Sequence, residues 1–330
     1  MSSTGDNRPQ FDPEYQTEKI GFDADEMHPC PKCGRDNAPN RVKCLYCGGE
    51  LELRAPDSAK LTLRHLESWE RGWNVVVTDR EGDPDVAAVA GLVGLEVEQV
   101  AAILDAKLPL PLVRTETSAE AEVLLKRLDT LGLSARMMGD EVLASDSLPA
   151  RLSGLAFGEG ELSVRDFNTG SVVSIAYVDL ALIVIGEIST GKTDVLEKKR
   201  RRGNTKVLDE VTTSSDEPVV DIYDRSDPGG FRINLSGFDF SCLGDSMSLY
   251  ASENIKRIVD QLRNRCPAAR FDANYHRLRP VLGSVWDVET RKDSRGLQRA
   301  GFGKVEFGST SSTSNLRQFT KYSRLQWNLL

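Results

Sequence analysis

The pattern of apolar and polar positions differs between segments of the chain, and it predicts a clear order of helices and strands between Trp73 and Val142. The pattern there predicts a strand, two helices, an irregular LPLPLV stretch, a third helix and a final strand. Ser118, with acidic residues in the turn after it, predicts the start of the third helix, and Gly132 predicts its end. These elements predict a small α+β domain over residues 73–145.

From about Leu152 the pattern becomes β-rich. Short apolar or alternating runs are separated by Asn-Thr-Gly, Gly-Asn-Thr and Asp-Pro-Gly-Gly, which are typical turn sequences. One amphipathic helix is predicted from Ser252 to Arg265, because apolar residues recur at helical spacing and Pro267 follows. Cys266 continues this apolar stripe and is expected to be a small core residue rather than a ligand. The β domain is predicted over residues 151–286.

Three further segments lie outside these domains, and among them only residues 54–72 show a helical pattern, with Asp57-Ser58 as a cap before Leu61, Leu66 and Trp69. Residues 1–27 are polar and acidic and predict a disordered arm, residues 54–72 predict a helical linker, and residues 287–330 predict an irregular, Ser/Thr-rich tail. The fold class expected from these segments is multidomain α+β.

Composition narrows the class of protein. The chain has 330 residues, of which 39% are hydrophobic and 28% charged, with a formal net charge of −8. No apolar run approaches the length of a membrane span, and no signal peptide is evident, so a cytoplasmic location is expected. Residues 51–150 contain 10 basic and 18 acidic residues, which argues against this segment lying on nucleic acid.

Four of the six cysteines occupy one short stretch, Cys30-Pro-Lys-Cys33-Gly and Cys44-Leu-Tyr-Cys47-Gly. Each Cys-x-x-Cys places two thiolates on one turn, and four thiolates that converge tetrahedrally select zinc. His28 could compete as a ligand, but a solvated position beside the site is the simpler expectation.

This stretch resembles the short zinc-ribbon modules found at the ends of many bacterial proteins, over residues 28–53. The resemblance implies a structural zinc ion held by Cys30, Cys33, Cys44 and Cys47, because four cysteine ligands leave no open coordination position. Catalysis by this metal is not expected.

Two further resemblances concern the larger segments. The element order of residues 73–145, with Gly94-Leu95 opening the second helix, resembles the C-terminal domain of the bacterial ribosomal stalk protein. That family docks translation factors through basic residues, whereas GLEVEQVAAIL here has Glu96 and Glu98 and no lysine, so a general protein-docking module is expected. Residues 151–286, with strands closed by one helix, resemble a pleckstrin-homology-like domain.

One motif raises an enzymatic alternative. Gly186 to Thr193 match the phosphate-loop pattern of nucleotide hydrolases, in which Lys192 would reach phosphates and Thr193 would bind magnesium. The following DVLEKKRRRG has few apolar positions for a helix that packs on a sheet. A hairpin turn at Ser189 to Lys192 is therefore the preferred prediction, and a nucleotide-binding enzyme remains the alternative.

A basic run, Lys198 to Arg202, is the densest charge in the chain. A solvated loop is the simplest expectation for it, and contact with phosphate, lipid, RNA or an acidic partner is the functional one. With only three histidines and no Gly-x-Ser-x-Gly elbow, no hydrolase apparatus is visible. We expect a non-enzymatic, zinc-binding adaptor with protein partners of unknown identity, and a zinc-ribbon nucleic-acid-binding protein is a further alternative.

Overall fold

The structure is a computed structural model that describes residues 27–38, 41, 43–51, 63–143, 146–199, 205–301 and 304–330. The chain forms two compact units, Met1–Thr62 and Leu63–Leu330. The described residues are of mixed α and β structure, which confirms the coarse fold class. The predicted arm lies outside the described residues except for Met27.

The smaller unit is built on two short antiparallel strands, β1 (His28–Pro29) and β2 (Asp36–Asn37). A single bridge pairs Lys43 with Glu50 across the second knuckle. Residues 54–62 of the predicted linker lie outside the described residues. Residues 63–72 contain turns but no helix, so the helical prediction is wrong for this part.

The larger unit begins with a three-stranded antiparallel sheet of order β4-β3-β5. Its elements, which include a short fourth helix, are β3 (Trp73–Arg80), α1 (Val86–Val93), α2 (Val97–Asp105), β4 (Leu110–Thr115), α3 (Ser118–Thr130), β5 (Leu133–Gly139) and α4 (Asp140–Leu143). The predicted order is observed with one correction: the stretch expected to be irregular contains β4. Pro111 is accommodated because a register shift interrupts the β3–β4 pairing beside it.

Capping explains where α3 begins. Thr117 is its N-cap and accepts a hydrogen bond from the backbone of Glu120, whose carboxylate accepts in return from the N–H of Thr117. This capping box satisfies free N–H groups of the first turn. Gly132, predicted as the stop, has a φ of +77°, which a side chain would disfavour.

The rest of the unit forms a nine-stranded sheet of order β13-β14-β9-β10-β11-β6-β7-β8, with β12 beside β9. Its elements are β6 (Ala150–Phe157), β7 (Glu161–Asp166), β8 (Val172–Ala176), β9 (Leu180–Lys199), β10 (Thr205–Asp224), β11 (Phe231–Asn234), a 3-10 helix (Ser241–Ser246), α5 (Ala251–Arg265), β12 (Arg270–Asp272), α6 (Tyr275–Leu282), β13 (Glu289–Gly301), β14 (Lys304–Ser314) and α7 (Leu316–Asn328). The apolar face of α5 packs in the core of this sheet, and Cys266 is buried there as expected.

Two strands are much longer than predicted. β9 and β10 each contain 20 residues, whereas the sequence predicted four short strands in the same region, LALIVIGEI, TDVLEK, KVLDEVTT and EPVVDIYD. They form one antiparallel pair along their whole length, with register shifts at Val207/Asp209 and Tyr223/Asp224. Both strands are longer than those of the small barrel that the resemblance implied, since strands in globular proteins usually contain about 3–10 residues.

The predicted irregular tail is also ordered in the described residues. Residues 289–301 and 304–314 form β13 and β14, and β14 pairs on its other side with β9. The threonines of β14 suit an extended strand once partners lie on both sides. α7 follows and has nine consecutive buried residues, from Gln318 to Gln326.

The phosphate-loop-like segment lies inside β9. Residues 190–193 pair with β10 on one side and with β14 on the other, so they form neither the predicted hairpin turn nor a strand-to-helix loop. Residues 194–199, which a phosphate loop would place in a helix, continue the strand. The basic run begins in the last residues of β9, and residues 200–202 lie outside the described residues.

Candidate metal centre

The four predicted ligands come together in the smaller unit. The sulfur atoms of Cys30, Cys33, Cys44 and Cys47 all lie within 4.8 Å of one another. The Sγ atoms of Cys30 and Cys47 are 3.7 Å apart, and those of Cys33 and Cys44 are 3.5 Å apart. A tetrahedral ion with zinc–sulfur bonds of about 2.3 Å requires sulfur atoms about 3.8 Å apart. The arrangement therefore fits such an ion.

The two knuckles have the same backbone geometry. The N–H of Cys30 donates to the carbonyl of Arg35, and the N–H of Cys44 donates to the carbonyl of Gly49. The glycine that follows each pair, Gly34 or Gly48, has a φ of about +70°, and its N–H closes the turn onto the first cysteine. This local geometry needs few long-range contacts, which is why the spacing of the cysteines could predict it.

Backbone N–H groups in both knuckles point at sulfur. The N–H of Lys32 lies 3.4 Å from the Sγ of Cys30, and the N–H of Tyr46 lies 3.5 Å from the Sγ of Cys44. Such donors stabilise negative charge on a thiolate ligand.

Asn37 contacts one of the ligands and was not predicted as a functional residue from the sequence. Its side chain is buried, its Nδ2 lies 3.5 Å from the Sγ of Cys44, and its Oδ1 accepts from the N–H of Leu45 at 2.9 Å. One side chain thus supports a ligand and fixes the turn that carries it. An asparagine in the short strand that follows the first knuckle, between the two cysteine pairs, was the available signal.

The surroundings of two of the thiols shift their pKa values in opposite directions. Burial raises the pKa of Cys44, but the N–H groups of Tyr46 and Cys47 outweigh it and lower the pKa to about 6. At Cys33 the N–H of Arg35 lowers the pKa, yet local desolvation and the neighbouring thiols of Cys44, Cys47 and Cys30 outweigh it and raise the pKa to about 12. Four adjacent thiols cannot all ionise without a compensating charge, and a divalent cation would supply it.

His28 is not one of the ligands in this cluster. It lies in β1, paired with Asn37 across the two-stranded sheet. Among the described residues, the potential ligand cluster contains only the four cysteines.

The second knuckle also exposes apolar side chains. Leu45 and Tyr46, which lie between the ligands Cys44 and Cys47, are 64% and 53% exposed. The guanidinium of Arg35 lies over the ring of Tyr46 at 4.8 Å from its centroid. The same turn that carries two ligands thus displays two large side chains to solvent.

Comparison of the chain with protein-family models, with curated proteins and with solved structures gives no match. Within the described residues, no single helix has the length and apolar character needed to cross a membrane, although α1 and α2 together, bent by 113°, meet the criteria of length and composition.

Proposed function

We propose that this chain is a non-enzymatic adaptor in which a structural zinc ion fixes a docking surface for a protein partner. Four thiolate ligands match the preference of zinc and leave no position for a substrate or a reactive water molecule. The role of the metal is then to supply the folding free energy of a unit whose core, among the described residues, consists of Cys30, Cys44, Leu51 and the partly buried Cys47.

The exposed pair Leu45 and Tyr46 is the observation that carries this proposal. Their backbone is held by a hydrogen bond to Asn37 and by an N–H directed at the Sγ of Cys44. Apolar side chains on an already fixed turn lose little conformational entropy when a partner covers them. Tyrosine is also among the residues that contribute most to protein interfaces.

The charge around this surface indicates the kind of partner. Residues 28–51 contain four basic and two acidic residues, including Arg35 against Tyr46. We therefore expect a protein with an apolar pocket and acidic groups at its rim.

The first domain of the larger unit supports a further recognition role. Its element order from β3 to β5 is compatible with the proposed likeness to the stalk-protein domain. Because α1 and α2 contain no lysine, we propose that it docks proteins other than the translation factors of that family.

The test compares binding by the full zinc-loaded chain with binding by a Leu45→Ser/Tyr46→Ser variant. Immobilised chains are incubated with cytosolic extract, and captured proteins are quantified by mass spectrometry. We expect one partner to fall at least tenfold in the variant, which corresponds to about 1.4 kcal/mol, while zinc content and circular dichroism stay unchanged. Val178→Ser, at an exposed position of the larger unit, is the matched control and should retain the partner. Equal capture by all three chains would refute the proposal.

A second candidate function is single-stranded nucleic-acid binding by the ribbon. It is favoured by the stacked Arg35 and Tyr46, since an aromatic ring beside cations can hold a base. Fluorescence anisotropy with a labelled oligonucleotide tests it. Binding that weakens steeply with salt and is lost in Tyr46→Ser would favour this candidate over the adaptor.

A further inference from the structure

The distal parts of β9 and β10 form an arm together with β13 and β14. This four-stranded arm comprises residues 289–301, 304–314, 187–199 and 205–218, in the strand order β13-β14-β9-β10. Threonine and serine hydroxyls pair across its strands, for example Thr190 with Ser215 at 2.9 Å and Thr193 with Thr212 at 3.2 Å. These two pairs lie on opposite faces of the arm, because Thr190 and Thr193 are three residues apart in β9 and successive side chains of a strand point to opposite faces. Both faces are therefore polar at these positions.

Both edges of the arm are open among the described residues. β11 covers β10 only at residues 219–222, so residues 205–218 pair with β9 alone. β13 pairs with β14 alone. Side chains 211–217 on one edge and 290–294 on the other are all exposed. Each edge thus offers a row of backbone N–H and C=O groups to another strand.

The two edge strands have opposite charge in the sequence. Residues 205–218 contain one lysine and four acidic residues, whereas residues 289–301 contain four basic and two acidic residues. Charged residues on an edge normally discourage pairing with other chains. Here they discourage each edge from pairing with its own kind and favour pairing of the acidic edge with the basic edge.

Strand direction fits the same arrangement. All neighbouring strands in the arm are antiparallel, so β13 and β10 run in opposite directions. If β13 of a second copy lay beside β10 of the first with the arms side by side, the alternation of directions would continue without interruption. The two edges also have similar lengths, residues 205–218 and 289–301.

We propose that the acidic edge of the arm, residues 205–218, pairs with the basic edge, residues 289–301, of a second copy of this chain. The contact is head to tail, because each copy uses two different surfaces. Repetition of such a contact gives a ring if the rotation closes and a filament if it does not. Zinc-ribbon surfaces would then be repeated along the assembly, which would raise their apparent affinity for a multivalent partner.

The experiment measures the mass of the full zinc-loaded chain by sedimentation velocity. We expect species heavier than the 36.4 kDa monomer, with an average mass that rises with protein concentration and falls with added salt. Two charge-reversal variants separate the edges: Arg291→Glu/Lys292→Glu makes both edges acidic, and Asp209→Lys/Glu210→Lys gives both a net positive charge. Each variant alone should lose self-association at least tenfold.

Mixing the two variants gives the decisive result. The edges of one variant are acidic and those of the other are basic, so their equimolar mixture should recover the heavier species. A single chain with all four substitutions again has one edge of each charge and should also associate. Lys256→Glu, on the exposed side of α5, is the control and should associate like the unmodified chain. Circular dichroism of every variant checks that the fold is kept. A chain that is monomeric at all concentrations, reversals without effect, or a mixture that fails to associate would each overturn the proposal.

Discussion

Lys321 and Asp140 form a buried ion pair in the larger unit, with Nζ 2.8 Å from Oδ1, although 181 residues separate them in the sequence. The other carboxylate oxygen of Asp140 lies 2.6 Å from the guanidinium of Arg114 and accepts from the N–H of Gly72. The pair joins α7 to the end of the β4-β3-β5 sheet. Since charges this deep have lost most of their hydration, each depends on its partners.

The first prediction concerns removal of one charge from this cluster. Lys321→Met should lower the free energy of unfolding of the larger unit by about 3 kcal/mol, because Asp140 keeps only Arg114 as a cationic partner. Asp140→Asn should cost more, since it leaves two buried cations without their carboxylate. Urea unfolding followed by tryptophan fluorescence measures both, and all four tryptophans lie between residues 69 and 327, in the larger unit. Lys256→Met, on an exposed helix face, should change the value by less than about 0.5 kcal/mol. The reverse order of the two effects would contradict this account.

The second prediction is a loss of stability in acid. Burial tends to raise the pKa of Asp140, but the charges of Lys321 and Arg114 outweigh it and hold the pKa below its usual range. A carboxyl group with a depressed pKa stabilises the folded state at pH values above its unfolded pKa of about 3.9, and this contribution is lost as the pH falls through the folded pKa.

Unfolding free energies measured from neutral pH downward should therefore fall more steeply near and below pH 4 in the unmodified chain than in Asp140→Asn. Burial lowers the pKa of Lys321, and Asp140 offsets part of this shift. Identical slopes in the two chains would show that Asp140 does not contribute.

The third prediction concerns the metal. The purified chain should contain one zinc ion, and a chelator should unfold the smaller unit while tryptophan fluorescence from the larger unit stays unchanged. Asn37→Ala should weaken zinc binding roughly tenfold to a hundredfold, because Cys44 loses a donor and Leu45 loses its acceptor. Competition with a chromogenic chelator measures this affinity. Arg41→Ala, which changes an exposed side chain of the same unit, should bind zinc normally. Iron in the purified chain, or an affinity unaffected by Asn37→Ala, would be evidence against the proposed centre.

The parts of the structure that could be predicted from sequence are those that depend on local interactions. The knuckles follow from the spacing of Cys30 and Cys33 and of Cys44 and Cys47, and the order from β3 to β5 follows from periodicity and capping. Asn37 was missed because its role depends on the position of the second knuckle, whose Cys44 and Leu45 it contacts.

The parts that could not be predicted depend on distant partners. β14 is a Ser/Thr-rich strand only because β9 and β13 flank it, and its own sequence resembles a loop. α7 is rich in polar residues, yet it is buried because its partners come from remote segments. For example, Thr320 accepts a hydrogen bond from Arg232, and the hydroxyl of Tyr322 donates to Asp272. Local patterns contain no information about such pairs.

The last prediction concerns the Gly186 to Thr193 segment, which is either part of a strand that packs against α7 or a phosphate-binding loop. A Cβ built on Gly186 would overlap the ring of Phe319 in α7, and this ring is held between Tyr275 and the guanidinium of Arg232. Gly186→Ala should therefore cost about 1–3 kcal/mol by overpacking the core. Lys192 is half exposed and pairs with Asp194 at 3.1 Å, so Lys192→Ala should change stability by less than about 0.5 kcal/mol. A phosphate loop predicts a different result, namely saturable ATP or GTP binding that Lys192→Ala abolishes. Calorimetric titration with both nucleotides, beside urea unfolding of both variants, decides between them, because in β9 the glycine is required for packing against α7 and the lysine is not required for the fold.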